Sequence, residues 1–251
     1  MKILITRPRA QAAAFAVGLQ AAGFEPYFFP VIEIQPILNN VELESALRRL
    51  SSYDWLVFTS VNGVEVVCTL MDRLNLHGVP ESVKVAAIGP KTAEALRARA
   101  IEPCFVPDEY VAEAIMPGLG ELKGRWVLLP RAEIARQALP QAISQAGGVA
   151  HEIAVYRTLP AKVDPEGLAA LRAGVDVVTL TSPSTVENFV AIARQHGLDP
   201  HNLPGSPVFA CIGPITEQAA RDEGLSGLIV AQEFTTEGLI RAIRTLPPRA
   251  N

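Results

Sequence analysis

Two short stretches of the chain place a threonine at the same distance after a Gly-Pro pair. Residues 87–92 read "AIGPKT" and residues 211–216 read "CIGPIT". In each, an apolar run ends at the glycine and a helical pattern begins at the proline, which suits a first helical turn. The free amides of a helix start, with a hydroxyl beside them, can bind a carboxylate or a phosphate. The predicted anion-binding residues are Gly89, Pro90, Lys91, Thr92, Gly213, Pro214 and Thr216.

A second pair of stretches carries a Thr-Ser dipeptide at the end of an apolar run. Residues 58–63 read "FTSVNG" and residues 180–185 read "LTSPST". Serine is a good N-cap, and ordinary capping explains any one of these junctions by itself. Four such junctions in one chain favour a site for a polyanion. The hydroxyl residues predicted to contribute are Thr59, Ser60, Thr181, Ser182 and Ser184.

Few residues in the chain suit a direct chemical role. There is no G-x-G-x-x-G or G-x-x-x-x-G-K-[ST] pattern, which argues against dinucleotides and P-loop chemistry. The four histidines have no metal-ligand spacing, and the three cysteines, which we expect to be buried, form no C-x-x-C. Tyr156 in "VYRT", at the end of a predicted strand, can act as a phenolic proton donor or as a structural aromatic.

These stretches belong to an internal duplication. Thr59-Ser60 matches Thr181-Ser182 at a distance of 122 residues, and Gly89-Pro90 matches Gly213-Pro214 at 124. "RPRAQ" at 7–11 lies near "LPRAE" at 129–133, which pairs Arg9 with Arg131 at 122. A nearly constant offset over ordered matches indicates that the chain contains two copies of one unit.

Each copy alternates short apolar runs with Ala- and Leu-rich stretches of helical spacing. Runs such as "WLVFTS" and "VDVVTLTS" are apolar almost throughout, as strands of a parallel sheet covered on both faces are. The pattern predicts an α/β fold with two five-stranded doubly wound domains. The domains are either the halves 1–122 and 123–251, or they interleave by crossing over near 30–38 and 154–162. Periodicity alone does not choose between the two.

Composition narrows the class of protein. The chain has 251 residues, of which 49% are apolar and 19% charged, so it can bury large cores. A net charge of −4 gives no reason to expect a nucleic-acid partner. The start "MKILITRPRA" is too polar for a signal peptide, and no apolar run reaches membrane-spanning length, which predicts a cytoplasmic protein.

The ordered motifs resemble the uroporphyrinogen-III synthase family over nearly the whole chain. They are "ILITRPRAQ", "FTSVNGV", "AIGPKTAEAL", "LLPRAE", "VYRT", "LTSPSTV" and "CIGPITEQAA". The resemblance implies the interleaved arrangement, with flavodoxin-like domains. Residues 1–33 and 162–251 would form the first domain and residues 38–155 the second. Residues 34–37 and 156–161 would form a two-stranded connector.

The resemblance also implies an activity. Members cyclise hydroxymethylbilane, a linear tetrapyrrole with eight carboxylates, to uroporphyrinogen III, with inversion of ring D and loss of water, in tetrapyrrole (haem, sirohaem) biosynthesis. It implies a cofactor-free, metal-free, monomeric cytoplasmic enzyme with no nucleic-acid or membrane partner. Tyr156 would be the acid, and the hydroxyl loops, with Lys91 and Arg9, would hold carboxylates. The alternative is a two-domain small-molecule binding or sensor protein without catalysis.

Overall fold

The structure is a computed structural model that describes residues 1–108 and 112–247. Strands and helices are numbered in chain order. The strands are β1 (Lys2–Ile5), β2 (Glu25–Phe28), β3 (Ile32–Pro36), β4 (Trp55–Phe58), β5 (Lys84–Ala87), β6 (Trp126–Ala132), β7 (Val149–Pro160), β8 (Val177–Leu180), β9 (Val208–Cys211) and β10 (Leu228–Val230).

Helices connect most of these strands. They are α1 (Arg9–Ala21), α2 (Val41–Arg48), α3 (Val61–Arg73), α4 (Pro90–Ala98), α5 (Met116–Leu119), α6 (Ala138–Gln145), α7 (Pro165–Ala173), α8 (Pro183–Gln195), α9 (Pro214–Asp222) and α10 (Thr236–Arg244). Two short 3-10 helices cover Leu50–Ser52 and Ala112–Ile115. Within the described ranges, no helix is long and apolar enough to cross a membrane.

The chain divides into two compact units. Unit 1 contains Met1–Glu33 and Leu159–Asn251, and unit 2 contains Ile34–Thr158. The chain passes from one unit to the other within β3 and again within β7, and these two strands are neighbours in one sheet. The backbone amide of Ile37 extends this pairing by donating to the carbonyl of Val155 at 2.9 Å.

Unit 1 is built on a sheet with the strand order β10-β9-β8-β1-β2, in which every neighbouring pair is parallel. Side chains alternate between the two faces of a strand. In β1, Ile3 and Ile5 enter the cluster that contains Phe15, whereas Leu4 enters the cluster that contains Phe189. Helices therefore bury both faces of the sheet, which explains why its strands are apolar almost throughout.

Unit 2 repeats this construction on a sheet with the order β3-β7-β6-β4-β5. In β4, Leu56 and Phe58 face one core cluster, while Trp55 and Val57 face the other. The duplication relates the strands of the two units one by one. In unit 2 they are β6, β7, β4 and β5, which correspond in this order to β1, β2, β8 and β9 of unit 1. The carboxyl ends of these parallel strands lie at one edge of the sheet.

One predicted strand is reduced to a single bridge. The sequence predicts that the segment "PCFV" at 103–106 forms the fifth strand of unit 2, but only Phe105 pairs, with Ala86. The segment begins with Pro103 and is followed by Pro107, and proline has no amide to donate to a ladder. The fifth strand of the sheet is instead β3.

The cysteines differ in burial. Cys68 and Cys211 are buried as predicted, whereas the prediction for Cys104 is wrong, because it is exposed. Burial raises the pKa of the Cys68 thiol to about 11 and that of Cys211 to about 12.

We expect iodoacetamide at pH 8 to alkylate Cys104 in the folded protein and to leave Cys68 and Cys211 unmodified, as mapped by peptide mass spectrometry. Equal labelling of all three would contradict the described packing.

Candidate active site

Loops at neighbouring strand ends form the same arrangement in each unit. In unit 1 the Thr-Ser loop follows β8 and the Gly-Pro loop follows β9, which is its neighbour in the sheet. The amide of Ile212 donates to the carbonyl of Leu180 at 2.9 Å and links the two loops. In unit 2 the loops follow β4 and β5, and the amide of Ile88 donates to the carbonyl of Phe58 at 2.9 Å. Each unit therefore presents two helix starts side by side.

The Thr-Ser loops cap their helices as the sequence predicts. Ser60 is the N-cap of α3, and its hydroxyl accepts from the Gly63 amide at 3.0 Å. Ser182 is the N-cap of α8 and accepts from the Thr185 amide at 3.2 Å. The Ser184 hydroxyl lies 3.0 Å from that of Ser182, so these two hydroxyl groups are side by side at the start of α8.

A difference between the copies lies three residues after the capping serine. In unit 1 the Thr185 hydroxyl accepts from the amides of Thr181 and Ser182, each at 3.0 Å, and closes a capping box. In unit 2 the corresponding residue is Gly63, which has no side chain to accept from those amides. A Cβ at Gly63 would lie 3.1 Å from the carbonyl oxygen of Pro130, so the close packing there suits glycine.

The Gly-Pro loops start α4 and α9 with the same backbone shape. Gly89 and Gly213 are N-caps with φ of −172° and no side-chain cap, and a proline follows each. Thr92 and Thr216, in the first turns, are 5% and 3% exposed. Within the described residues, neither threonine hydroxyl makes a hydrogen bond to the protein. Among the described residues, neither hydroxyl oxygen belongs to the fully enclosed side-chain atoms without a partner, so each can be reached beside the helix-start amides, which suits a carboxylate ligand.

Tyr156 lies within β7, opposite Ala132 of β6. The pairing of β6 with β7 is irregular between Arg131 and Ala132, and β7 continues beyond the end of β6. The tyrosine ring packs into the core of unit 2 and the residue is 7% exposed. Its phenol donates to the Ser60 hydroxyl at 3.1 Å. The predicted acid and one predicted hydroxyl loop therefore touch.

The predicted cations already have acidic partners. Arg9 is paired with Asp164 at 2.6 Å and lies over the Phe28 ring, 5.3 Å from its centroid. Lys91 is paired with Glu94 at 3.1 Å. The side chains of Arg9 and Lys91 are both largely exposed, and such pairs are weak in water, so each cation can exchange its carboxylate for another.

Two further arginines at strand ends are more enclosed than the sequence indicates. Arg131, 5% exposed, donates to Glu152 at 2.7 Å and to the carbonyl of Arg136 at 2.5 Å, which fixes the loop after β6. Arg7 follows β1, and burial lowers the pKa of its guanidinium, with Glu237 acting in the opposite direction. The sequence shows where these arginines fall along the chain, but not that Arg131 is buried and Arg7 half-buried.

Fold and site together define a class of protein. It is a duplicated, doubly wound α/β protein whose strand ends carry matched hydroxyl loops suited to a ligand with several carboxylates. The family model described as "Uroporphyrinogen-III synthase HemD" matches residues 13–241. The uroporphyrinogen-III synthase of Synechococcus elongatus is 30% identical over 246 residues, which cover 96% of this chain and 93% of the relative. The chain belongs to the uroporphyrinogen-III synthase family.

Solved structures agree with this fold. A mutant uroporphyrinogen III synthase from Thermus thermophilus matches with a TM-score of 0.66 at 22% identity, covering 97% of each chain. The uroporphyrinogen-III synthetase of Helicobacter pylori matches with a TM-score of 0.64 at 17% identity, covering 98% of this chain and 99% of that one. The predicted fold class, family and enzymatic activity are confirmed, and no match supports the alternative of a non-catalytic binding protein.

Proposed function

We propose that this enzyme holds the carboxylates of hydroxymethylbilane with its hydroxyl loops while it cyclises the chain to uroporphyrinogen III. The observation that supports this most is the repetition, in both units, of a serine-capped helix start beside a Gly-Pro-x-Thr helix start. Eight carboxylates on the substrate match many separate donors better than one compact anion site does. The proposed contacts are Thr59, Ser60, Gly89, Pro90, Lys91, Thr92, Thr181, Ser182, Ser184, Gly213, Pro214, Thr216 and Arg9.

The reaction depends more on how the enzyme positions the substrate than on a strong nucleophile. The electron-rich pyrrole of ring A expels its hydroxyl group and leaves an azafulvenium cation, which ring D attacks at its substituted carbon. The resulting spiro intermediate fragments and closes again with ring D inverted. Holding rings A and D, at the two ends of the substrate, in a reactive geometry can lower the activation barrier by up to about 7–11 kcal/mol in favourable intramolecular cases. In this proposal the loops supply that geometry and Tyr156 supplies the proton for the leaving hydroxyl.

We also propose that the enzyme acts as a cytoplasmic monomer. In each unit, the Thr-Ser loop and the neighbouring Gly-Pro loop belong to that unit alone. Neither pair of loops therefore needs residues from a second protein chain. Light scattering coupled to size exclusion, at the concentration of the assay, measures the mass of the active species. A stable dimer would contradict the monomer.

The product isomer tests the proposed function. With hydroxymethylbilane and no added metal or nucleotide, we expect the purified protein to yield the type III isomer, which chromatography separates from type I. A reaction without protein is the control, because spontaneous closure gives type I. If the protein reaction also gives only type I, the enzymatic proposal is wrong and the chain acts as a binding protein.

A further inference from the structure

The Ser60 hydroxyl occupies a position between a helix start and the buried tyrosine. It accepts from the Gly63 amide at 3.0 Å and from the Tyr156 phenol at 3.1 Å. A serine oxygen has two lone pairs, and these two donors use both of them. The proton of Ser60 is therefore directed to a third group. Ser60 is partly exposed, whereas Tyr156 is 7% exposed and directs its own proton to the serine.

The matching serine of unit 1 lacks this connection. Ser182 accepts from Thr185 and contacts the Ser184 hydroxyl at 3.0 Å, which is a second aliphatic alcohol. Only the copy in unit 2 joins its capping serine to a phenol in the part of the chain that the structure describes. A phenol is a far stronger acid than an aliphatic alcohol and is therefore a better proton source than a serine. Helix capping accounts for both serines, but it does not account for the phenol.

We propose that Ser60 delivers the proton to the leaving hydroxyl of ring A and that Tyr156 replaces that proton on Ser60. This inference rests on the proposed function. It changes the role of both residues: Ser60 becomes the group that touches the reacting atoms, and Tyr156 becomes the source behind it. The low exposure of Tyr156 is then expected, because its phenol needs contact with Ser60 alone.

The two proton transfers occur together. The Ser60 O–H bond breaks as its proton bonds to the hydroxyl oxygen of ring A, and the carbon–oxygen bond breaks with its electron pair leaving in water. The Tyr156 O–H bond breaks as its proton bonds to Ser60, which leaves a phenolate and the azafulvenium cation. After inversion, the ring D carbon that forms the closing bond loses its proton. That proton returns through Ser60 to the phenolate, so the enzyme is regenerated.

Variants of the two residues distinguish this proton relay, from Tyr156 through Ser60 to ring A, from direct proton donation by Tyr156. Ser60→Asn keeps an N-cap acceptor but removes the hydroxyl, and Tyr156→Phe removes only the phenol oxygen. We expect each to lower kcat for type III formation about 10²-fold with little change in KM. Because both changes interrupt one relay, the double variant should be no slower than the singles. Ser60→Thr should recover much of the rate that Ser60→Asn loses.

Controls address loss of structure. Thr235→Ala removes an N-cap of the same kind, since Thr235 accepts from the Gly238 amide at 3.0 Å, and it should leave kcat unchanged. When the wild-type rate is plotted against the fraction of heavy water in the solvent, it should fall along a curve, because two protons are transferred in the same step. This measurement does not depend on whether any variant folds, and it needs conditions in which chemistry limits turnover.

Two results would overturn the relay. A Ser60→Asn enzyme with the wild-type kcat, alongside a slow Tyr156→Phe enzyme, would show that the tyrosine donates directly. Multiplying losses in the double variant, with a one-proton dependence in the wild type, would show that the residues act separately. Neither result affects the proposed function, because in both cases the wild-type protein still gives the type III isomer.

Discussion

Replacing both buried threonines of the Gly-Pro loops, as in Thr92→Val with Thr216→Val, is expected to lower kcat/KM about 10²–10⁴-fold. Valine keeps the shape of threonine and removes only the hydroxyl. A hydrogen bond to a charged group contributes about 1.5–3 kcal/mol, which corresponds to roughly 10–150-fold for each residue. Thr92 lies in α4 of unit 2 and Thr216 in α9 of unit 1, so the losses should add as free energies. The measurement is the initial rate of type III formation for both single variants and the double variant.

A matched control comes from a buried threonine whose hydroxyl is already used. Thr179, fully buried in β8, donates to the carbonyl of Leu4 at 3.0 Å. Thr179→Val should cost about 1 kcal/mol of the free energy of unfolding and leave kcat/KM per folded molecule unchanged. If Thr92→Val and Thr216→Val behave in the same way as Thr179→Val, the threonine hydroxyls bind no substrate.

The strands of this fold can largely be predicted from the sequence, because a strand that is buried on both faces is apolar almost throughout. All four residues of β4 and all four of β8 are buried, and both segments are apolar apart from Thr179. The exception is the segment at 103–106, where Pro103 and Pro107 limit pairing to one bridge. The route of the chain between units is not readable from periodicity, since the pairing of β3 with β7 joins distant parts of the sequence.

The helix starts of the candidate site are predictable for the same local reason. A capping serine and the amide that it accepts from are three residues apart, so "TSVNG" and "TSPST" already contain the interaction. The contact between Tyr156 and Ser60 spans 96 residues, and it depends on the register of β7 against β6, which shifts between Arg131 and Ala132. Likewise, the burial of Arg131 against Glu152 arises from two neighbouring strands. Motifs indicate these residues, but only the packed sheet supplies their partners.

Removing the central aromatic ring of unit 1 is expected to destabilise the protein strongly. Phe189 of α8 is fully buried and meets Phe29 and Phe209 edge to face, with ring centroids 6.3 Å and 5.9 Å away. Phe→Ala in a core typically costs about 3–5 kcal/mol, through lost burial and the cavity that remains. For a chain of this size, the melting temperature should fall by about 6–20 °C.

Thermal and urea unfolding of Phe189→Ala, followed by circular dichroism, measure this loss. Ile134→Ala is the control, because Ile134 is 92% exposed and should change the free energy of unfolding by less than about 0.5 kcal/mol. A loss below about 1 kcal/mol for Phe189→Ala would contradict the described packing of the three rings. Since α8 begins next to its N-cap Ser182, the substitution also tests how rigidly the core holds that loop. Well below its melting temperature, the variant should keep its KM if the first turn of α8 stays in place.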